Sequence, residues 1–157
     1  MTRSVVPAVF YKDPMAALDW LQKAFGMELS FLVTDSEGAV GHAELSWRGD
    51  AISVGGEWAS EELIGPARMR SPASVDGIST QTIRLYLDDG IDAHCERARA
   101  AGARIVQAPG DQFYGERVYR ALDPEGHVWS FSQSVAAVTV EEMEKASGLT
   151  IRTKADA

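Results

Sequence analysis

The chain repeats itself once, at an offset of 76 residues, and that period decides its architecture before any other property is considered. In the first copy an apolar run from Val5 to Tyr11 leads to Asp13, a helical stretch ending at Phe25, then Gly26 and a strand-like run from Glu28 to Thr34. Adding 76 carries Asp13 to Asp89, Ala17 to Ala93, Ala24 to Ala100 and Gly26 to Gly102. Element types repeat too: Thr80 to Leu87 reads as a strand, Ile91 to Ala101 as a helix, and Ala103 to Gln107 opens the next strand.

The first helix carries its own start and stop. Asp13 can cap the free amides, Pro14 suits the first helical position, and Gly26 suits the left-handed residue past the end. Ala17, Leu18, Leu21, Ala24 and Phe25 then form one apolar stripe, while Ile91, Cys95 and Ala98 form a thinner one in the second helix. Turn signals at 35–38, 48–50, 111–115 and 123–126 cut the remainder of each half into short strands, giving β-α-β-β-β twice. The expected organisation is a single domain over 1–138, with module one at 4–55, a linker at 56–78 and module two at 79–134. Residues 139–157 are expected to add a short helix and a tail, because Thr139 and Glu142 stand at capping-box spacing.

Composition narrows the partners. With 45% hydrophobic residues among 157 the chain can bury a core, and 15 basic against 23 acidic residues leave a net charge of −8. That charge and the lack of any Lys/Arg cluster exclude nucleic acid and favour a cationic small molecule. The N-terminal run turns polar at Lys12 and no later run approaches a membrane span, so a cytoplasmic protein without membrane contact is expected. The lone Cys95 permits no intrachain disulfide and leaves His and carboxylates as the only metal donors.

Alternation assigns the strand faces. Ile83, Leu85 and Leu87 alternate with Thr82, Arg84 and Tyr86; Trp129 and Phe131 alternate with Val128, Ser130 and Ser132; Ala43, Leu45 and Trp47 alternate with His42, Glu44 and Ser46. The apolar sets are expected against the helices and the polar sets on the opposite face.

Two βαβββ modules with Asp123-Pro124-Glu125-Gly126-His127-Val128-Trp129 before the last strand resemble the vicinal oxygen chelate superfamily of glyoxalases, extradiol dioxygenases, and fosfomycin and bleomycin resistance proteins. Asp92-Ala93 through Ala100-Ala101-Gly102-Ala103 and Tyr114-Gly115-Glu116-Arg117 carry the same resemblance, over roughly residues 4 to 134. It implies an α+β fold in which the two tandem modules form an open mixed sheet enclosing a cleft. It also implies a divalent metal held by the first and last strands of each module. Those positions fall here on Val6, Ser53, Thr82 and Ser130, which include no imidazole or carboxylate, so neither metal nor cofactor is expected.

The cleft is then expected to be lined by Ala8, Phe10, His42, Glu44, Ser46, Thr82, Arg84, Tyr86, Arg120 and Ser130, with Tyr114 at its mouth and Trp58 able to close over a ligand. His42 and Glu44 are the candidate catalytic pair, since they share a face and a carboxylate raises the proton affinity of a nearby imidazole. The alternative pairs Glu44 with Arg84 or Arg120 and leaves His42 lining a wet groove. His94 reads as a surface or half-buried helix residue, His127 as a brace of its hairpin, Cys95 as core, and Arg117 as a brace for a carboxylate. Three functions follow: a metal-free small-molecule binder of the bleomycin-resistance kind, a glyoxalase- or dioxygenase-like enzyme using a relocated metal or His42 and Glu44, or an interaction module with a filled cleft. A homodimer is expected because open βαβββ sheets leave edges that a partner covers.

Overall fold

A computed structural model describes residues 5–58, 62 and 65–154. The order is β1 (Ala8–Tyr11), α1 (Pro14–Phe25), β2 (Glu28–Thr34), β3 (Val40–Trp47), β4 (Asp50–Gly56), β5 (Thr82–Leu87), α2 (Ile91–Ala100), β6 (Arg104–Asp111), β7 (Glu116–Leu122), β8 (Val128–Ser134) and α3 (Val140–Ser147). The strands form two four-stranded sheets, ordered β1-β4-β3-β2 and β5-β8-β7-β6. In each the first and last strands of the module run parallel and the other neighbours antiparallel. The repeat therefore folds as two copies of one topology.

The helix signals act as written. The Asp13 carboxylate accepts from the Ala16 amide at 3.0 Å, and Gly26, at φ 77°, closes α1 by donating to the Gln22 carbonyl. The five-residue stripe of α1 is buried. In α2 the aligned Asp89 is not the cap; Gly90 precedes the helix without a side-chain cap, and Ile91, Cys95 and Ala98 are buried. Thr139 and Glu142 form a reciprocal capping box on α3, which buries none of its own residues. No described helix is long and apolar enough to cross a membrane.

One core unites the modules. Val9, Tyr11, Leu45, Ile52 and Val54 from the first sheet join Leu85, Tyr119, Trp129 and Phe131 from the second, with the buried residues of α1 and α2 in the same cluster. The Asp123 to Trp129 segment fastens this union. Asp123 accepts from the Tyr11 hydroxyl at 2.6 Å, the Trp129 indole at 3.0 Å and the amides of Glu125 and His127. Burial first, and the Asp123 carboxylate second, push the Tyr11 phenol well above its ordinary pKa. Glu125 accepts from the amides of Lys12 and Asp13, and the His127 ring bonds the Phe10 carbonyl at 2.8 Å. A segment expected to shape one hairpin thus bonds through three side chains to the other module.

His94 is a second fastening. The Phe25 carbonyl, 2.9 Å away, can only accept, so Nε2 carries the proton and Nδ1 of the neutral ring accepts from the Tyr119 hydroxyl at 2.6 Å. Burial, the largest cause, lowers the His94 pKa, which keeps the ring neutral. The residue is half-buried, and its position joins the end of α1 to β7. Two described stretches of the expected linker meet: Trp58 and Met69 exchange backbone hydrogen bonds at 3.1 and 2.9 Å, and Glu57 accepts from the Ser71 amide.

Candidate functional site

Period-two alternation places every strand-borne candidate on the face away from the helices. In the first sheet Ser53 lies between Ala8 and Glu44, Ser46 lies between Ala51 and Glu28, and Phe31 and Val33 oppose Glu44 and His42. A groove of about 300 Å³ is lined there by Ala8, Phe10, His42, Ser53, Gly55 and Trp58. Its rings come from Phe10, Trp58 and His42; Phe31 sits beside the last at 6.0 Å between centroids. His42 Nε2 lies 3.7 Å from Glu44 Oε1, close enough for an ion pair when the ring is protonated.

In the second sheet the corresponding rows are Arg84–Ser130–Arg120 and Tyr86–Ser132–Val118, each crossing β5, β8 and β7. Thr82 sits one row away and donates its hydroxyl to the Val128 carbonyl at 3.1 Å. Ser130, Ser132 and Val118 are buried yet lie outside the hydrophobic core, so they form a floor beneath the longer side chains of this face. The hydroxyls of Ser130 and Ser132 and one carboxylate oxygen of Glu116 are buried without a hydrogen-bond partner. Each such orphan costs about 1–3 kcal/mol, which is tolerated where a ligand or water completes the bond.

The two candidate arginines pair within module two, whereas Arg48 and Asp88 form an ion pair between the modules. Arg84 Nη1 lies 3.7 Å from Glu116 Oε2, and Arg120 bonds the side-chain oxygen of Gln107. The Tyr86 side chain, with smaller contributions from Tyr114 and Glu116, favours the charged form of Arg84. The contacts seen for these arginines are with Glu116 and Gln107, and that seen for the Glu44 carboxylate is with His42. The candidates divide into two sets, Phe10, His42, Glu44, Ser46 and Trp58 on one sheet, and Thr82, Arg84, Tyr86, Tyr114, Arg120 and the buried Ser130 with the other. Tyr86 is 51% exposed and the His42 side chain 47%, values that two faces closed on each other would not show.

Four groups of these faces stand outside the expected cleft lining. Ser132 follows from the alternation that gave Ser130, and Phe31 and Val33 follow from extending it to β2. Glu116 looked like part of a turn, but β7 begins at that residue. Arg117, by contrast, bonds Asp92 at 2.9 Å and Asp111 at 2.7 Å.

A divalent metal does not fit the four superfamily positions. Val6 has no donor atom, Ser53, Thr82 and Ser130 offer only neutral hydroxyls, and that of Thr82 is already engaged. Among the described residues no three His, Cys, Asp or Glu gather in a cluster able to hold an ion.

Two βαβββ sheets, each with its first and last strands paired in parallel, define a fold class rather than a reaction. Comparison with known proteins places the chain within it: residues 4–131 match the model of the Glyoxalase/Bleomycin resistance protein/Dioxygenase superfamily, and the chain belongs to that superfamily. An uncharacterized protein of Mycobacterium bovis is 33% identical over 140 residues, covering 89% of each chain. The crystal structure of TioX from Micromonospora sp. ML1 is 28% identical, with a TM-score of 0.69 over 85% of this chain and 100% of that one. At 20% identity and a TM-score of 0.61, TnmS3, an antibiotic binding protein from Streptomyces sp. CB03234, shares the fold over 85% of this chain and 97% of its own.

Proposed function

We propose that this protein binds a small organic molecule without a metal, between the ligand-facing sheet of module one and that of module two supplied by a second copy. The observation that carries this reading is the pair of open faces, built from polar and aromatic side chains around the four positions that lack metal donors. Phe10 and Trp58 offer rings for stacking, and Glu44 offers a carboxylate to a positively charged group. The fold shared with TnmS3, an antibiotic binding protein, supports the same class of ligand. Homodimerisation is supported by β2, an edge strand exposed along its whole length although Leu29, Phe31, Leu32 and Val33 are apolar.

The test is titration of the purified protein with a panel of aromatic cations, followed by calorimetry and by tryptophan fluorescence. Binding is expected to perturb the Trp58 signal and to lose that perturbation in Trp58→Phe, while sedimentation reports a dimer. Silence of this panel and of aromatic anions alike, in heat and in fluorescence, overturns the reading. The His42–Glu44 contact of 3.7 Å favours a second reading, acid–base catalysis; turnover of a bound ligand that disappears in His42→Ala would establish it.

A further inference from the structure

Ser130 occupies the centre of a three-strand row with an arginine directly opposite on each side, Arg84 on β5 and Arg120 on β7. Neighbouring strands lie about 4.8 Å apart, so the two arginine backbones are about 10 Å apart, and both side chains can bend over the serine between them. The Ser130 hydroxyl is 1% exposed at residue level and has no partner, and the Ser132 hydroxyl in the next row is in the same state. Each guanidinium keeps donors to spare: Arg120 is bonded to the uncharged Gln107, and Arg84 pairs with Glu116 at 3.7 Å, beyond hydrogen-bond distance. Two guanidinium groups and two unfilled hydroxyls form a donor-rich patch, with Glu116 as the one carboxylate whose contact with Arg84 is seen.

We infer that this patch is an oxyanion subsite, which receives a carboxylate or phosphoryl group of the small molecule between Arg84 and Arg120, over Ser130 and Ser132. The assignment rests on the small-molecule reading above and fixes the polarity of that ligand: its anionic end sits on module two, and its neutral or cationic part sits on module one beside Glu44. Guanidinium forks match planar oxyanions, and charge-assisted hydrogen bonds are about twice as strong as neutral ones. The overall charge of −8 does not forbid this. Beyond about 8–10 Å that field is screened at cellular salt, whereas the two arginines act in contact. Tyr86, half-exposed beside Ser132, supplies a ring for the body of the ligand.

The experiment is amide-shift NMR of the labelled full chain titrated with benzoate, phenyl phosphate and the neutral isostere benzamide, with the aromatic cation panel run in parallel. Saturable benzoate or phenyl phosphate shifts confined to β5, β7 and β8, with benzamide silent, are the expected result, and the tighter of the two anions identifies the source. Arg120→Gln should weaken the anion about tenfold or more, and Arg120→Lys should restore only part of it. Arg84→Gln provides a second, independent loss should Arg120→Gln fold poorly. Equal shifts from benzamide and benzoate overturn the oxyanion subsite and leave small-molecule binding standing. Cation shifts on β1, β3 and β4 without any anion response do the same. Silence from every probe overturns both.

Discussion

The two modules have one topology and bury their outer faces differently. In module two the last strand, β8, is buried through four consecutive residues, Trp129 to Ser132, so both its faces are covered. In module one the equivalent β4 is buried less evenly and β2 is exposed throughout. A shared fold thus fixes where strands lie but not what roofs them. Long side chains such as Arg84, Arg120 and Tyr86 stand over serines in one module, whereas Phe31, Val33 and His42 stand half-free in the other.

The strongest way to break the contrast is to separate the modules that share a core. Asp123→Ala removes the acceptor of Tyr11, Trp129 and two backbone amides, and should cost about 3–5 kcal/mol. Denaturation followed by tryptophan fluorescence and by circular dichroism should stay coincident, because one cluster holds both modules; separate transitions would show that each is stable alone. Gly115→Ala strikes module two only. Gly115 sits at φ +83°, and an added Cβ would stand 2.3 Å from the Ala136 carbonyl oxygen, so a loss of about 2 kcal/mol is expected from the denaturation midpoint.

The pH dependence sharpens the view of the junction. Because burial lowers the His94 pKa, the unfolded chain binds more protons across the window below the ordinary imidazole value of about 6.5. The His94 contribution is complete above that value and is lost as pH falls through it toward the folded pKa. Urea midpoints measured down to about pH 5 should therefore decline, and His94→Gln should flatten the part due to this group. The smallest effect compares the faces directly. Ser132→Ala deletes a buried hydroxyl without a partner and should raise stability by up to about 1 kcal/mol, whereas Ser46→Ala on the half-exposed face of module one should change it by less than about 0.5 kcal/mol. A destabilised Ser132→Ala would mean that a water completes that hydroxyl.

Much of the fold was legible because it is written in local rules. Asp13, Pro14 and Gly26 bound α1, Thr139 and Glu142 cap α3, and alternation put Leu85, Trp129 and Phe131 in the core with Arg84 and Ser130 on the opposite face, where Ser130 is nevertheless buried. The candidate site was legible only face by face. His94 shows the limit: its helix position was clear, yet nothing near it in the sequence names Phe25, 69 residues away, or Tyr119 as its partners.

The repeat, the ends of α1 and the alternation of faces along β3 and β5 were determined by the sequence alone, because backbone geometry and side-chain polarity act over a few residues. Tertiary structure decided the rest: that the arginines answer Glu116 and Gln107, and that Asp123 and His127 fasten the first module. Those pairings depend on which surfaces meet when one core closes. Closure joins residues more than 100 positions apart, a relation that no local period encodes.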